Sequence, residues 1–155
     1  MRAASEQRAI SLVMSKAIPF DQIEVGQEFG PIETPASGNA VRRYCEDWQD
    51  PNPLYLQDSP FGGPIVPPAF MAGLTGFQLL GSRCDARATI GAKTEHENIN
   101  PWRVGKKLIT RGRIADKYIK RGLEYVVIES VSVDEDGLEI RRSRDHILLG
   151  IERRK

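Results

Sequence analysis

Asp50, Asn52 and Tyr55 share one short stretch, Asp50-Pro51-Asn52-Pro53-Leu54-Tyr55, and carry the side chains best suited to chemistry. A carboxylate can accept a proton or orient a water. A phenol, with an ordinary pKa of about 10, stays neutral at neutral pH and serves as a hydrogen-bond donor rather than a base. Structural readings stand beside these. Asp before Pro commonly caps a turn, Asn52-Pro53 suits a bracing role, and Tyr55 can be a wall residue whose hydroxyl reaches solvent. Two histidines, His96 and His146, lie in alternating segments further on. Such strand histidines are more often satisfied, half-buried residues than proton carriers, and His96 is the better substitute base of the two. Arg103, Lys106, Lys107, Arg111 and Arg113 form a basic run. It suits either phosphate contacts or, more simply, a solvated strand face.

The bulk composition narrows the classes. A chain of 155 residues with formal net charge +1 and interspersed acids and bases has no electrostatic footprint for nucleic acid or an anionic membrane. Its apolar runs fall short of the roughly 20 residues that span a bilayer. Glu6 and Arg8 interrupt the opening segment where a secretory signal would be apolar. Cys45 and Cys84 lie far apart without metal-ligand spacing, so they read as reduced, half-buried thiols of a cytoplasmic protein. Residues 1–19 read as an extension and 20–155 as one domain, since neither repeats nor low-complexity linkers divide them.

The elements that must position the candidate residues follow from pattern. Phe20 to Glu33 predicts a turn and a short strand. Ser37, then Ala40, Val41, Tyr44, Cys45 and Trp48, predicts a capped helix. Residues 50–66 are rich in proline and glycine and predict an ordered irregular segment rather than an element. Pro67-Pro68 then opens the most apolar stretch, residues 69–80, which predicts a buried helix with proline in its first turn. Small residues Ala69, Ala72, Gly73 and Gly76 would let it lie close to a sheet. Segments 88–99, 107–115, 124–133 and 138–151 alternate as strands, with Asp136-Gly137 turning the last pair. A short helix, one long helix and a run of antiparallel strands make the fold class α+β.

Four segments in this order resemble the MaoC-like acyl-thioester hydratases. They are Asp50–Tyr55, Gly63–Phe70, Asn100-Pro101-Trp102-Arg103-Val104-Gly105, and Val131–Arg144. The Val-Pro-Pro-Ala-Phe run is most similar to the N-terminal-type MaoC dehydratase domain. The resemblance implies a hot-dog fold, a curled antiparallel sheet wrapped around one long central helix. It also implies interconversion of trans-2-enoyl and 3-hydroxyacyl thioesters without cofactor or metal, with acyl-CoA favoured over acyl carrier protein as the carrier.

Residue by residue, the resemblance assigns Asp50 to the acidic position and Asn52 to the loop-bracing asparagine. It assigns Phe70, Met71, Ala72 and Gly73 to the helix start, where free backbone N–H groups would face the thioester oxygen. The chain departs from the family at Tyr55, which occupies the place of the catalytic histidine. Two expectations follow: a hydratase or dehydratase that relies on Asp50, or a catalytically silent acyl-CoA-binding subunit paired with a catalytic partner. Either implies a homodimer or a heterodimer, because a lone sheet leaves an edge open. A thioesterase would need a carboxylate on the central helix, and residues 69–81 contain none.

Overall fold

The computed structural model describes residues 19–71, 80 and 89–149. After a 3-10 turn at Phe20–Gln22 come β1 (Glu28–Pro35), helix α1 (Gly38–Asp47), the short helix α2 (Pro53–Leu56) and a 3-10 turn at Pro68–Met71. Strands β2 (Ile90–Asn98), β3 (Lys107–Lys120), β4 (Leu123–Asp134) and β5 (Glu139–Leu148) follow. Together they form one antiparallel five-stranded sheet in the order β1-β3-β4-β5-β2.

Local chemistry sets the element ends. Ser37 caps α1, its Oγ accepting from the Ala40 N–H at 3.2 Å. The β4–β5 turn is tied by Asp134, whose Oδ1 accepts from the N–H groups of Asp136 (3.0 Å) and Leu138 (2.9 Å). The segment 50–66 departs from the expectation of irregular chain, because it holds α2. Asn52 caps that helix and Pro53 opens it, the favoured place for a residue without an N–H. Strand β3 runs further than its predicted 107–115, since the ladder with β4 continues through a bulge between Ile114 and Asp116. Of the predicted buried helix, Met71 and Leu80 are buried, and Leu80 packs against the sheet. Residues 72–79, with Ala72 and Gly73, lie outside the described residues.

The sheet's inner face carries two apolar clusters. One gathers Phe29, Leu80, Ile114, Val126, Ile128 and Ile147. The other gathers Val41, Cys45, Val66, Met71, Trp102, Leu108 and Ile140, with Tyr55 and Phe70 packed on its flank. A polar belt separates them, in which Thr110 meets Ser132 at 2.8 Å and Ser130 meets Ser143 at 2.7 Å. β2, the edge strand beside β5, alternates in sequence yet is exposed at every residue.

Gly30 marks the tightest backbone approach, at the irregularity where β1 passes β3. Its φ is +94°, and an added Cβ would sit 2.7 Å from the Thr110 carbonyl oxygen. Backbone lies on both sides, so neither can yield cheaply. Gly30→Ala is expected to lower stability by roughly 1–3 kcal/mol. Urea unfolding checks this, and an unchanged midpoint would contradict the packing described.

Candidate functional site

The candidate residues sit where α1 gives way to α2. After Trp48, Gln49 turns the chain with a left-handed φ of 52°. The Asp50 N–H then returns to the Cys45 carbonyl at 2.9 Å. Asp50 Oδ1 accepts from the Asn52 N–H at 3.3 Å, and Asn52 Oδ1 accepts from the Leu54 N–H at 3.1 Å. Two consecutive Asx turns thus hand the chain from one helix to the next. Asn52 is occupied in capping, which gives its bracing role a definite hydrogen bond.

This turn is fastened to the rest of the molecule from behind. The Ile65 N–H donates to the Leu54 carbonyl at 2.9 Å. Val66 N–H donates to the Trp102 carbonyl at 2.7 Å, and Val104 N–H to the Pro64 carbonyl at 2.9 Å. Trp102 is 1% exposed, and its indole Nε1–H donates to the Lys106 carbonyl at 2.8 Å. The glycine-proline loop therefore runs as a pinned strip between α2 and the segment leading into β3. Ring contacts continue the wall: Tyr44 and Phe70 meet edge-on at 5.3 Å, and Phe70 meets Trp102 at 6.3 Å.

Asp50 and Tyr55 are both half-buried. Desolvation first, and the Asp50 charge second, push the Tyr55 phenol above its usual value. The same two causes, in the same order, raise the Cys45 thiol. Asp50, Tyr55 and Cys45 therefore share one electrostatic neighbourhood. Cys45 is fully buried, a correction to its half-buried expectation. Its position on the turn of α1 facing Asp50 was readable from helical spacing only once the Asp50 turn was known. Cys84 lies outside the described residues. An open cavity of about 450 Å³ adjoins the turn, lined by Arg42, Cys45, Glu46, Gln49, Asp50 and Leu56.

The other sequence candidates fall elsewhere. His96 lies on β2, and partial desolvation of its ring, followed by the Arg141 charge, lowers its pKa. The charges acting on it are those of Arg141 and Asp145, whereas Asp50 acts on Tyr55. His146 accepts or donates at Nδ1 to the Tyr118 hydroxyl, 3.1 Å away, beside the stacked Tyr118–Tyr125 pair. The basic run is largely paired on the surface: Lys106 and Arg103 with Asp136, Lys107 with Glu33, Arg113 with Glu129. Among the described residues no group of acidic, histidine or cysteine side chains could hold a metal, and no helix is long and apolar enough to cross a membrane.

Residues 24–143 match the family model described as the FAS1-like, dehydratase domain region. The chain belongs to that family. Its fold is the hot-dog fold of the MaoC-like dehydratases and R-hydratases. A MaoC-like dehydratase from Rhodospirillum rubrum superposes with a TM-score of 0.72 at 22% identity, over 86% of this chain and 97% of that one. The (R)-hydratase from A. caviae involved in PHA biosynthesis gives 0.70 at 19% identity, over 83% and 98%. The HadBC 3R-hydroxyacyl-ACP dehydratase complex from Mycobacterium tuberculosis gives 0.63 at 16% identity, over 81% and 96%. No curated protein matches the sequence.

Since the phenol's folded pKa is raised, the stability it contributes is complete below its unfolded value of about 10 and is lost as pH rises through the folded value. Tyr55 is thus expected to stay protonated through about pH 9. Ultraviolet difference titration of wild type against Tyr55→Phe checks this, and a phenolate assigned to Tyr55 below that pH would contradict it.

Proposed function

We propose that the protein is an acyl-thioester hydratase or dehydratase in which Asp50 carries the proton transfers and Tyr55 replaces the usual histidine. The observation that supports it is the double Asx turn, which presents a half-buried Asp50 carboxylate next to Tyr55 and an open cavity. In the hydration direction, Asp50 takes a proton from water as the water oxygen bonds to C3 of a trans-2-enoyl thioester. The electron pair moves through C2 to the thioester oxygen. Asp50 then returns a proton to C2, giving the 3-hydroxyacyl thioester, and dehydration is the reverse.

The enolate-like oxygen is assigned to the backbone N–H groups of Met71, Ala72 and Gly73; the Phe70 N–H, expected among them, is instead taken up by the Pro67 carbonyl at 2.9 Å. Tyr55, held neutral by its raised pKa, donates a hydrogen bond to the water or to the thioester oxygen. Coenzyme A is the preferred carrier, ahead of acyl carrier protein.

A second reading has specific support. With Tyr55 neutral and one Asp50 oxygen engaged by the Asn52 N–H, proton transfer rests on a single group. General acid–base residues are each worth about 10²–10⁴-fold, so a partner subunit with its own acid–base pair would take over the chemistry. The solved mycobacterial complex offers a precedent for paired subunits. Pairing, with itself or with such a partner, would also cover edge strand β2, exposed along its whole length.

Hydration of crotonyl-CoA and of a longer enoyl-CoA, followed by absorbance, tests the reading. Asp50→Asn is expected to lower turnover by about 10²-fold or more, and Tyr55→Phe to lower it less. Acyl-CoA binding without turnover would select the paired-subunit reading, and no binding at all would refute both.

A further inference from the structure

The polar belt across the inner face holds one group that the proposed reaction leaves unused. Two neighbouring rungs of the sheet build it. Gly112, Ser130, Ser143 and His96 lie on one, and Thr110, Ser132, Arg141 and Asn98 on the next. The serines and Thr110 satisfy one another, and Ser143 and Thr94 both donate to Asp145. Arg141 differs. It is 4% exposed, its Nε donates to Asn98 Oδ1 at 2.8 Å, and its Nη2 donates to the Pro68 carbonyl at 3.2 Å. Its Nη1 is buried and has no hydrogen-bond partner among the described residues.

Nor is its charge fully matched. Among the described residues no carboxylate forms an ion pair with Arg141, and the attraction of Asp145 only partly offsets the larger effect of desolvation, which lowers its pKa. An interior guanidinium with no carboxylate in direct contact and an unfilled donor is unfavourable, and a ligand carboxylate would supply both. The planar guanidinium is suited to carboxylate geometry. His96, on the adjoining rung, belongs to the exposed edge strand.

We propose that Arg141 binds a carboxylate on the acyl chain, so that the substrates are thioesters of short dicarboxylic acids rather than simple fatty acids. This rests on the acyl-thioester reading above. Pro68, whose carbonyl Arg141 holds, opens the short turn that ends at Met71, where the thioester oxygen is assigned. A chain-borne carboxylate at Arg141 therefore belongs to a short acyl group. An alkyl chain at the same place would leave the guanidinium unpaired, and sites built for a polar group reject analogues that lack it.

Calorimetric titration of the full chain with glutaryl-CoA, pentanoyl-CoA and free glutarate tests the assignment. The two thioesters match in chain length and differ in the terminal carboxylate. Glutaryl-CoA is expected to bind at least about tenfold more tightly than pentanoyl-CoA, with free glutarate far weaker and the preference abolished in Arg141→Gln. Equal or tighter binding of pentanoyl-CoA by the wild-type chain would overturn the inference and leave the acyl-thioester reading standing. Free glutarate binding as tightly as glutaryl-CoA would overturn the assignment to the acyl chain, and no binding of either thioester would overturn both readings. Should Arg141→Gln fail to fold, the wild-type comparison decides alone.

Discussion

The molecule depends on the pinning of one proline-rich strip between the site and the sheet. Pro64 and Val66 exchange backbone hydrogen bonds with Val104 and Trp102, and Ile65 holds the Leu54 carbonyl of α2. The strip would otherwise be a surface loop with unpaired backbone groups, and burial of such groups is tolerated only when they are bonded. Trp102 makes the arrangement rigid, because its indole N–H is satisfied internally while its rings fill the second apolar cluster. From this strip the chain runs on through Pro67 and Pro68 to the Phe70 turn. The Asp50 turn and the turn at Phe70 thus share one support.

That support explains why so ordinary a set of side chains can form a site. Asp50 needs no unusual partner to be held: its own backbone N–H and that of Asn52 orient it. Preorganisation of this kind, with rotamers fixed by packing and by hydrogen bonds behind the reacting groups, is what acid–base chemistry requires of a scaffold. Burial then raises Tyr55 and so removes it from the list of bases. Asp50 is then the carboxylate left beside it, and it acts on the phenol directly.

What was legible in the sequence was local or patterned. Ser37 as a cap, Asp136-Gly137 as a turn and the alternating strands follow from interactions within a few residues. The small helix at Pro53 was hidden by the density of prolines around it, although Asn52-Pro53 is itself a cap followed by a first helical residue. Alternation also tells which residues share a face without telling what covers that face. So β2, which alternates in sequence, is exposed throughout, while Arg141, one of three arginines in the return strand, is buried. A register irregularity between Ser132 and Val133 accompanies the change, with both Ile140 and Arg141 buried. Such shifts arise from pairing across the sheet and leave no mark in β5 alone.

The most direct test is a crystal structure of the protein with an acyl-CoA that is saturated at C2–C3 and so cannot be hydrated. The expected placement has C2 and C3 beside the Asp50 carboxylate, with the carbonyl oxygen on the Met71 N–H. An acyl group bound instead on the outer face of the sheet, over Arg111 and Val131, would contradict it.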